Sequence, residues 1–296
     1  MEKAPMNDVD IMMIGHFARD QVFVDGKGGA MSGGAVYFGS IPLRRLGFRV
    51  AVVTKVHADD LHFLRELSDE GVQVFARTAP ATSGIANYYS SDNMERRTCK
   101  PLGFAGPFGA DEIPALSARV LVAAGIMAGE VDLDLLKRLA ARGPLGLDVQ
   151  GFVRVREGDD LVFRPWPDLA DGLAQVTYLK VDRAEAELLT GEGDLGTAAR
   201  RLAEYGPREV VVTQSSGVTV LAEGRLHTAP FTSRSLEGRT GRGDTCFATY
   251  LGGRLSMAPP DATRLAAAVT SLKQEKAGPW RGSPAEAERL LSARAG

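Results

Sequence analysis

Gly238-Arg239-Thr240-Gly241-Arg242-Gly243-Asp244-Thr245 places three glycines within six residues. Glycine opens backbone angles closed to other residues. From Asp244 to Leu255 the pattern reads as a helix, with Cys246, Phe247, Tyr250 and Leu251 on one face. A glycine-rich turn opening into a helix is an anion site. Its N–H groups lack helical partners, and the helix dipole adds partial positive charge. A carboxylate at Asp244 conflicts with such an anion. The conflict resolves if Asp244 is a base that takes the proton from a hydroxyl attacking a phosphoryl group. The plainer alternative is a turn with an Asp cap.

Outward from this turn, a chain of 296 residues allows one large or two ordinary domains and an ample core. The net charge is −2, with Lys and Arg dispersed, so no basic face suggests nucleic acid or an anionic membrane. Cys99 and Cys246 are far apart and suggest no disulfide framework. His16, His57, His62 and His227 show no metal-site pattern. No apolar run reaches membrane length. Met1 to Asp10 lacks the basic-then-apolar order of a signal peptide, so a cytoplasmic protein is expected.

Val9 to Gly15 reads as a strand apolar on both faces, suited to the interior of a parallel sheet. Gln21 to Gly29 reads as a strand and turn, and Ser32-Gly33-Gly34-Ala35 leads into a helix closed by Gly47. Arg49 to Val56 is a strand, Asp59 to Glu70 a helix with Leu61, Leu64 and Leu67 in one stripe, and Val72 to Ala76 a short strand. Thr82 to Tyr89 and Met94 to Lys100 read as a hairpin about Ser90-Ser91-Asp92-Asn93, offering Ile85, Tyr88 and Tyr89 as an apolar face. Beyond Arg119, strands and helices alternate, which implies a mainly parallel sheet covered on both faces. Active sites on such sheets gather at the carboxyl ends of strands. Asp20, Asp148, Lys180 to Glu185, Thr213 and the Gly241 turn all follow predicted strands.

Thr-Gly-Arg-Gly-Asp followed by a small-and-apolar helix resembles the C-terminal signature of the ribokinase-like (PfkB) carbohydrate kinases, usually Asp-Thr-x-Gly-Ala-Gly-Asp. Gly238 stands where the first Asp is common, and Arg242 where Ala is usual. The N-terminal block is similar to the same family at Gly15, Asp20, Gly33-Gly34 and Leu46-Gly47. The resemblance implies that Asp20 and the Gly33-Gly34 backbone contact substrate hydroxyls. Phe38 stands where many members place a sugar-binding Asn, and the run Gly33 to Phe38 resembles the group containing myo-inositol kinase. A phenyl face suits the C–H face of a ring.

Asp182 and Glu185, three residues apart, match a capping box, which needs no ligand. In the family an Asn-x-x-Glu element at this place acts on the magnesium and phosphate region. The resemblance therefore implies metal roles for Glu185 and, less so, Asp182. Thr213 to Gly217 resembles the turn beside the nucleotide, with Ser215 in place of its middle Gly, and implies cofactor contacts at Thr213, Gly217 and neighbouring Lys180. Arg154 reads as a surface charge, and Lys273, Lys276 and Trp280 lie where the family borders adenine, on what reads as a solvated basic helix face.

The expectation is one ribokinase-like α/β domain over residues 1–296, with a lid from segments near 20–32 and 82–104. The resemblance implies an ATP- and Mg2+-dependent kinase for a hydroxyl of a small sugar or cyclic polyol, inositol among them. Asp244 would be its base, and the N–H groups of Gly241, Arg242 and Gly243 would hold the transferring charge. A monovalent cation and a homodimer formed through the lid are left open. A lapsed kinase fold serving binding or regulation, and a nucleoside kinase, are the alternatives. Gly238, Arg242, Asp182 and Phe38 favour lapse; the intact Asp244 and its glycines oppose it.

Overall fold

The computed structural model describes residues 8–90 and 93–292. The first seven residues and the Ser91-Asp92 of the predicted hairpin turn lie outside these. The chain opens with β1 (Val9–Ile14), β2 (Ala18–Val24), β3 (Lys27–Gly33), α1 (Ala35–Arg45), β4 (Val50–Val56), α2 (Arg65–Ser68) and β5 (Gln73–Thr78). It continues through β6 (Gly84–Ser90), β7 (Asn93–Gly103), β8 (Ala118–Ala123), α3 (Leu133–Ala140), β9 (Leu145–Asp148), α4 (Gln150–Val153), β10 (Arg154–Glu157) and β11 (Asp160–Phe163). It closes with α5 (Leu169–Leu173), β12 (Tyr178–Asp182), α6 (Arg183–Thr190), α7 (Leu195–Ala203), β13 (Glu209–Gln214), β14 (Gly217–Ala222), β15 (Arg225–Pro230), α8 (Arg242–Arg254), α9 (Pro259–Gln274) and α10 (Pro284–Ser292).

Among the described residues, nine strands form the central sheet in the order β15-β14-β13-β12-β9-β8-β1-β4-β5. From β13 to β5 every pairing is parallel; β14 and β15 add an antiparallel edge. β1 lies inside, between β8 and β4, as its two-sided apolar pattern requires. Alternate residues feed two cores. Ile11, Met13, Val120, Val122 and Val211 pack toward α1, α8 and α9. Met12, Ile14, Leu121, Val210 and Val212 pack toward α3 and α7.

A second sheet runs β3-β2-β6-β7 and forms the lid. β2 pairs antiparallel with β3 and parallel with β6, and β6 pairs antiparallel with β7. Ile85 is buried with Ala18, Ile126, Met127 and Leu161, so this face covers the main body. Tyr88, expected beside Ile85, faces the other way and stacks on Phe23 with ring centroids 5.2 Å apart. Strand residues alternate faces, so positions 85 and 88 cannot share one. The expected helix from Asp59 to Glu70 is instead a 3₁₀ segment, Ala58–Leu64, followed by the single turn α2. Its leucines recur every three residues, which is the 3₁₀ repeat.

Candidate active site

The chemistry-bearing residues meet in a cavity of about 130 Å³ between the lid and the carboxyl ends of the parallel strands. The body contributes Lys180 and Asp182 from β12, Thr213 from β13, and the turn Arg239 to Asp244. The lid contributes Asp20, Ile85 and Asn87. Gly34 and Phe38 close one side; Ile126, Gln150 and Arg154 close another.

The anion turn is built by close packing. Gly241 sits at φ 81°, in the left-handed region, as the residue before α8. A Cβ there would lie 2.1 Å from Cγ of Phe38, so only glycine fits over that ring. The Thr245 hydroxyl donates to the Phe38 carbonyl at 2.9 Å and pins α8 to α1. Phe38 lines the cavity but is 1% exposed, so most of its ring is spent supporting the turn. The Arg242 N–H, expected to face an anion, donates instead to the Arg239 carbonyl at 3.2 Å.

Asp244 lies in the first turn of α8 at the cavity wall. Burial and the nearby charge of Asp148 push its carboxyl up to about 6, against the pull of Lys180, Arg154 and Lys273. Lys180 Nζ lies 3.0 Å from Asp148 Oδ1 and 3.6 Å from Glu185 Oε2, with all three side chains buried. Burial disfavours the Lys180 ammonium, but Asp148 and Glu185 outweigh it and hold the lysine above its ordinary range. A Cβ at Gly243 would come within 3.1 Å of Lys180 Cε, which brings the lysine stem directly under the anion turn.

On the substrate side, Asp20 Oδ1 accepts from the Ile85 N–H at 2.8 Å, tying β2 to β6. A Cβ at Gly33 would lie 2.1 Å from Asp20 Oδ2, and one at Gly34 (φ 89°) would lie 2.4 Å from the His16 carbonyl. The two glycines thus let the β3–α1 turn press against Asp20 and the β1–β2 connection, and Gly34 reaches the cavity while Gly33 backs Asp20. The Cys99 thiol donates to Asn87 Oδ1 at 3.2 Å. Arg154 is buried, not a surface charge: it donates to the Ile126 carbonyl at 3.3 Å and to Gln150 Oε1 at 2.7 Å. Beneath the lid, buried Glu130 accepts from the N–H groups of His16, Ile126 and Met127, and Ser83 Oγ lies 2.7 Å from His16 Nδ1.

Three expected site residues stand off the cavity. Gly217 opens β14, paired with Gln214 and Pro230. Gly33 supports Asp20. Glu185 is buried behind Lys180, where its Oε2 accepts from the Asp182 N–H at 2.7 Å while Asp182 Oδ1 accepts from the Glu185 N–H at 2.8 Å. The capping box is therefore real, and Asp182, not Glu185, is its member at the cavity wall. Sequence reasoning missed Asn87, Gln150 and Arg154. A signal existed for Asn87: it shares the inward parity of Ile85 on a strand, an unusual place for an amide.

A family model described as pfkB family carbohydrate kinase matches residues 32–286. A pyrophosphate-dependent kinase in the ribokinase family, solved with a pyrophosphate analog and myo-inositol, is 37% identical with a TM-score of 0.87, over 96% of this chain and 99% of that one. A pyrophosphate-dependent myo-inositol-1 kinase converted by mutation into a myo-inositol-3 kinase is 36% identical with a TM-score of 0.86, over the same 96% and 99%. The cytidine kinase of Thermococcus kodakarensis is 27% identical over 261 residues, 83% of this chain and 88% of that protein.

Proposed function

The chain belongs to the pfkB family of carbohydrate kinases, phosphotransferases with an alcohol group as acceptor, and from that premise we propose that it moves a phosphoryl group from pyrophosphate to a hydroxyl of a cyclic polyol of the inositol class. The observation that carries this reading is Asp244, a carboxylate beside the glycine turn in a cavity also lined by Arg154, Lys180, Arg239 and Arg242. Four cations, set against the three carboxylates Asp20, Asp182 and Asp244 in the same lining, suit a compact polyanion. Relatives 36–37% identical to the chain over 96% of its length are described as pyrophosphate-dependent. ATP, the donor implied by the sequence, is the comparison donor in the test.

Asp244 takes the proton of the attacking hydroxyl as that oxygen bonds to phosphorus. The bond from phosphorus to the bridging oxygen breaks, and inorganic phosphate leaves. The Gly241 and Gly243 N–H groups and Lys180 stabilise the charge on the transferring group. Asp20, Asn87, Gln150 and the Gly34 backbone orient the polyol, and the lid excludes water. Thr213 stands on the donor side.

Mg2+ fits these residues only as a metal carried in with the donor. Among the described residues no group of three or more His, Cys, Asp or Glu is placed to hold a metal. Mg2+ keeps several waters and takes one or two carboxylates, so Asp182 suffices at the wall. Glu185 Oε1 is buried without a hydrogen-bond partner, which suits at most a contact through water. Asp182→Asn, which keeps a cap-forming side chain, is expected to raise the Mg2+ needed for half-maximal rate by about threefold to tenfold, roughly one pair's worth of charge. Glu185→Gln should mainly lower the melting temperature. Magnesium titration and thermal unfolding of both variants check the order; a reversed order assigns the metal to Glu185.

The function itself is tested by ³¹P NMR of reactions containing Mg2+, either pyrophosphate or ATP, and myo-inositol, ribose, fructose or cytidine. An inositol monophosphate peak with pyrophosphate is the expected result. Turnover with ATP alone overturns the donor, and a preference for ribose, fructose or cytidine overturns the acceptor.

A further inference from the structure

Lys273 sits in the last turn of α9, where a solvated basic face was expected, yet it is 2% exposed. Its ammonium donates to the Gly238 carbonyl and stands 5.0 Å from the centre of the Phe38 ring. No ion pair to Lys273 forms among the described residues; the carboxylate acting on it, Asp244, does so from a distance. A buried ammonium without an adjacent carboxylate is costly to hold. It is tolerated where something else needs the charge.

Its surroundings show what that is. Gly238 is gripped at both its polar groups, since its N–H also donates to the Gln274 carbonyl at 2.8 Å. A Cβ at Gly238 would lie 1.8 Å from the Lys276 carbonyl oxygen, so the Asp usual at this place in similar sequences has no room. The Phe38 ring that Lys273 faces is the one over which Gly241 packs. One lysine thus holds both the start of the anion turn and the ring supporting its middle.

We propose that Lys273 is a positioning residue of the donor site, whose buried ammonium fixes the Gly238–Gly241 turn and supplies, from behind it, positive charge that strengthens as the donor anion arrives. The proposal rests on the kinase reading above but not on which donor is used.

Burial pushes the Lys273 ammonium down to about 7, with Asp244 opposing. An anion seated on the turn favours the charged form, so donor and proton assist one another. The charged group acting on it is Asp244 of α8; Phe38 of α1 brings no charge. Glu275, farther along α9, is paired to Arg234 at 3.1 Å.

The experiment compares wild type, Lys273→Met and Lys273→Arg between pH 6 and 9, with pyrophosphate and separately with ATP, using whichever donor supports turnover. In Lys273→Met, KM for the donor should rise about tenfold to hundredfold, the worth of one charge-assisted bond, while KM for the polyol stays within about twofold. Wild-type kcat/KM for the donor should fall above pH 7, as the ammonium loses its proton. Lys273→Arg keeps its charge throughout, so it should recover most of the loss and lack that falling limb. The arginine curve also corrects for ionisation of the donor itself. Donor KM unchanged in Lys273→Met, or the same falling limb in Lys273→Arg, overturns the proposal. If Lys273→Met fails to fold, the pH profile of Lys273→Arg decides alone.

Discussion

Asp244→Asn is expected to lower kcat by about 10² to 10⁴, the usual span for a general base. The substitution keeps the shape of the side chain and its place in the first turn of α8, so folding should survive. It removes only the capacity to accept a proton. Because burial and Asp148 raise the wild-type carboxyl to about 6, the base is mostly ionised at neutral pH. The wild-type kcat/KM should therefore climb with pH through about 6, before the fall above pH 7 that belongs to Lys273, and the variant's residual rate should lack that rising limb. The sign for stability is opposite. A carboxyl raised in the folded state stabilises most below its unfolded value near 3.8, and that contribution is lost as pH rises through about 6. Steady-state rates of wild type and Asp244→Asn across pH 5 to 8 check this; wild-type turnover in Asp244→Asn removes the base from Asp244.

Lys180→Met should cost about 3–5 kcal/mol of stability, the range seen when one partner of a buried ion pair is removed. Lys180 is the cation shared by Asp148 and Glu185, at 3.0 and 3.6 Å, and neither carboxylate reaches solvent. Without it, two enclosed negative charges repel one another in a poorly screened site. They escape by binding protons. Burial already pushes Glu185 up to about 8 with the lysine present, and its loss pushes further the same way. A raised carboxyl stabilises the fold below its unfolded value near 4.5 and loses that contribution as pH rises through 8. The deficit of Lys180→Met should accordingly be smaller at pH 5 than at pH 8. Urea unfolding at both pH values measures it; a loss under about 1 kcal/mol at pH 8 would show the charges relieved by water or movement.

Much of this was legible in the chain. The three glycines before Asp244 announce a turn, and the left-handed φ of 81° at Gly241 is a local restriction that favours glycine, whereas the atoms that exclude a Cβ, from Lys276, Phe38 and Lys180, are distant in sequence. The inner position of β1 follows from an apolar run without alternation. What stayed hidden depends on neighbours distant in sequence. Lys273 and Arg154 look like surface charges, since nothing in a one-dimensional pattern says that a carbonyl from residue 238 or 126 waits for them. The Asp182–Glu185 pair shows the same limit. Its spacing fits a cap and a metal site equally, and only β12 beside β13 reveals which carboxylate meets the cavity. Gly217 stands off the cavity: it closes the two-residue turn from β13 into β14, and a Cβ there would strike the Ala229 carbonyl of neighbouring β15 at 2.5 Å.

The docking of α8 on α1, with α9 packed on α8, also bears on the order of assembly. α1 emerges early in synthesis, with Phe38 and Ile41 on a face that belongs to a core completed by Tyr250, Leu251 and Ala266. β1 can pair with β4 while the chain is still short, but its other neighbour, β8, follows much later. Contacts so far apart in sequence form slowly, and partly made parallel sheets expose apolar surface meanwhile. A nascent chain ending before Arg242 therefore carries α1 with its hydrophobic flank uncovered, and lacks Asp244. The segment that carries Asp244 is thus also the one that covers the apolar face of the early helix.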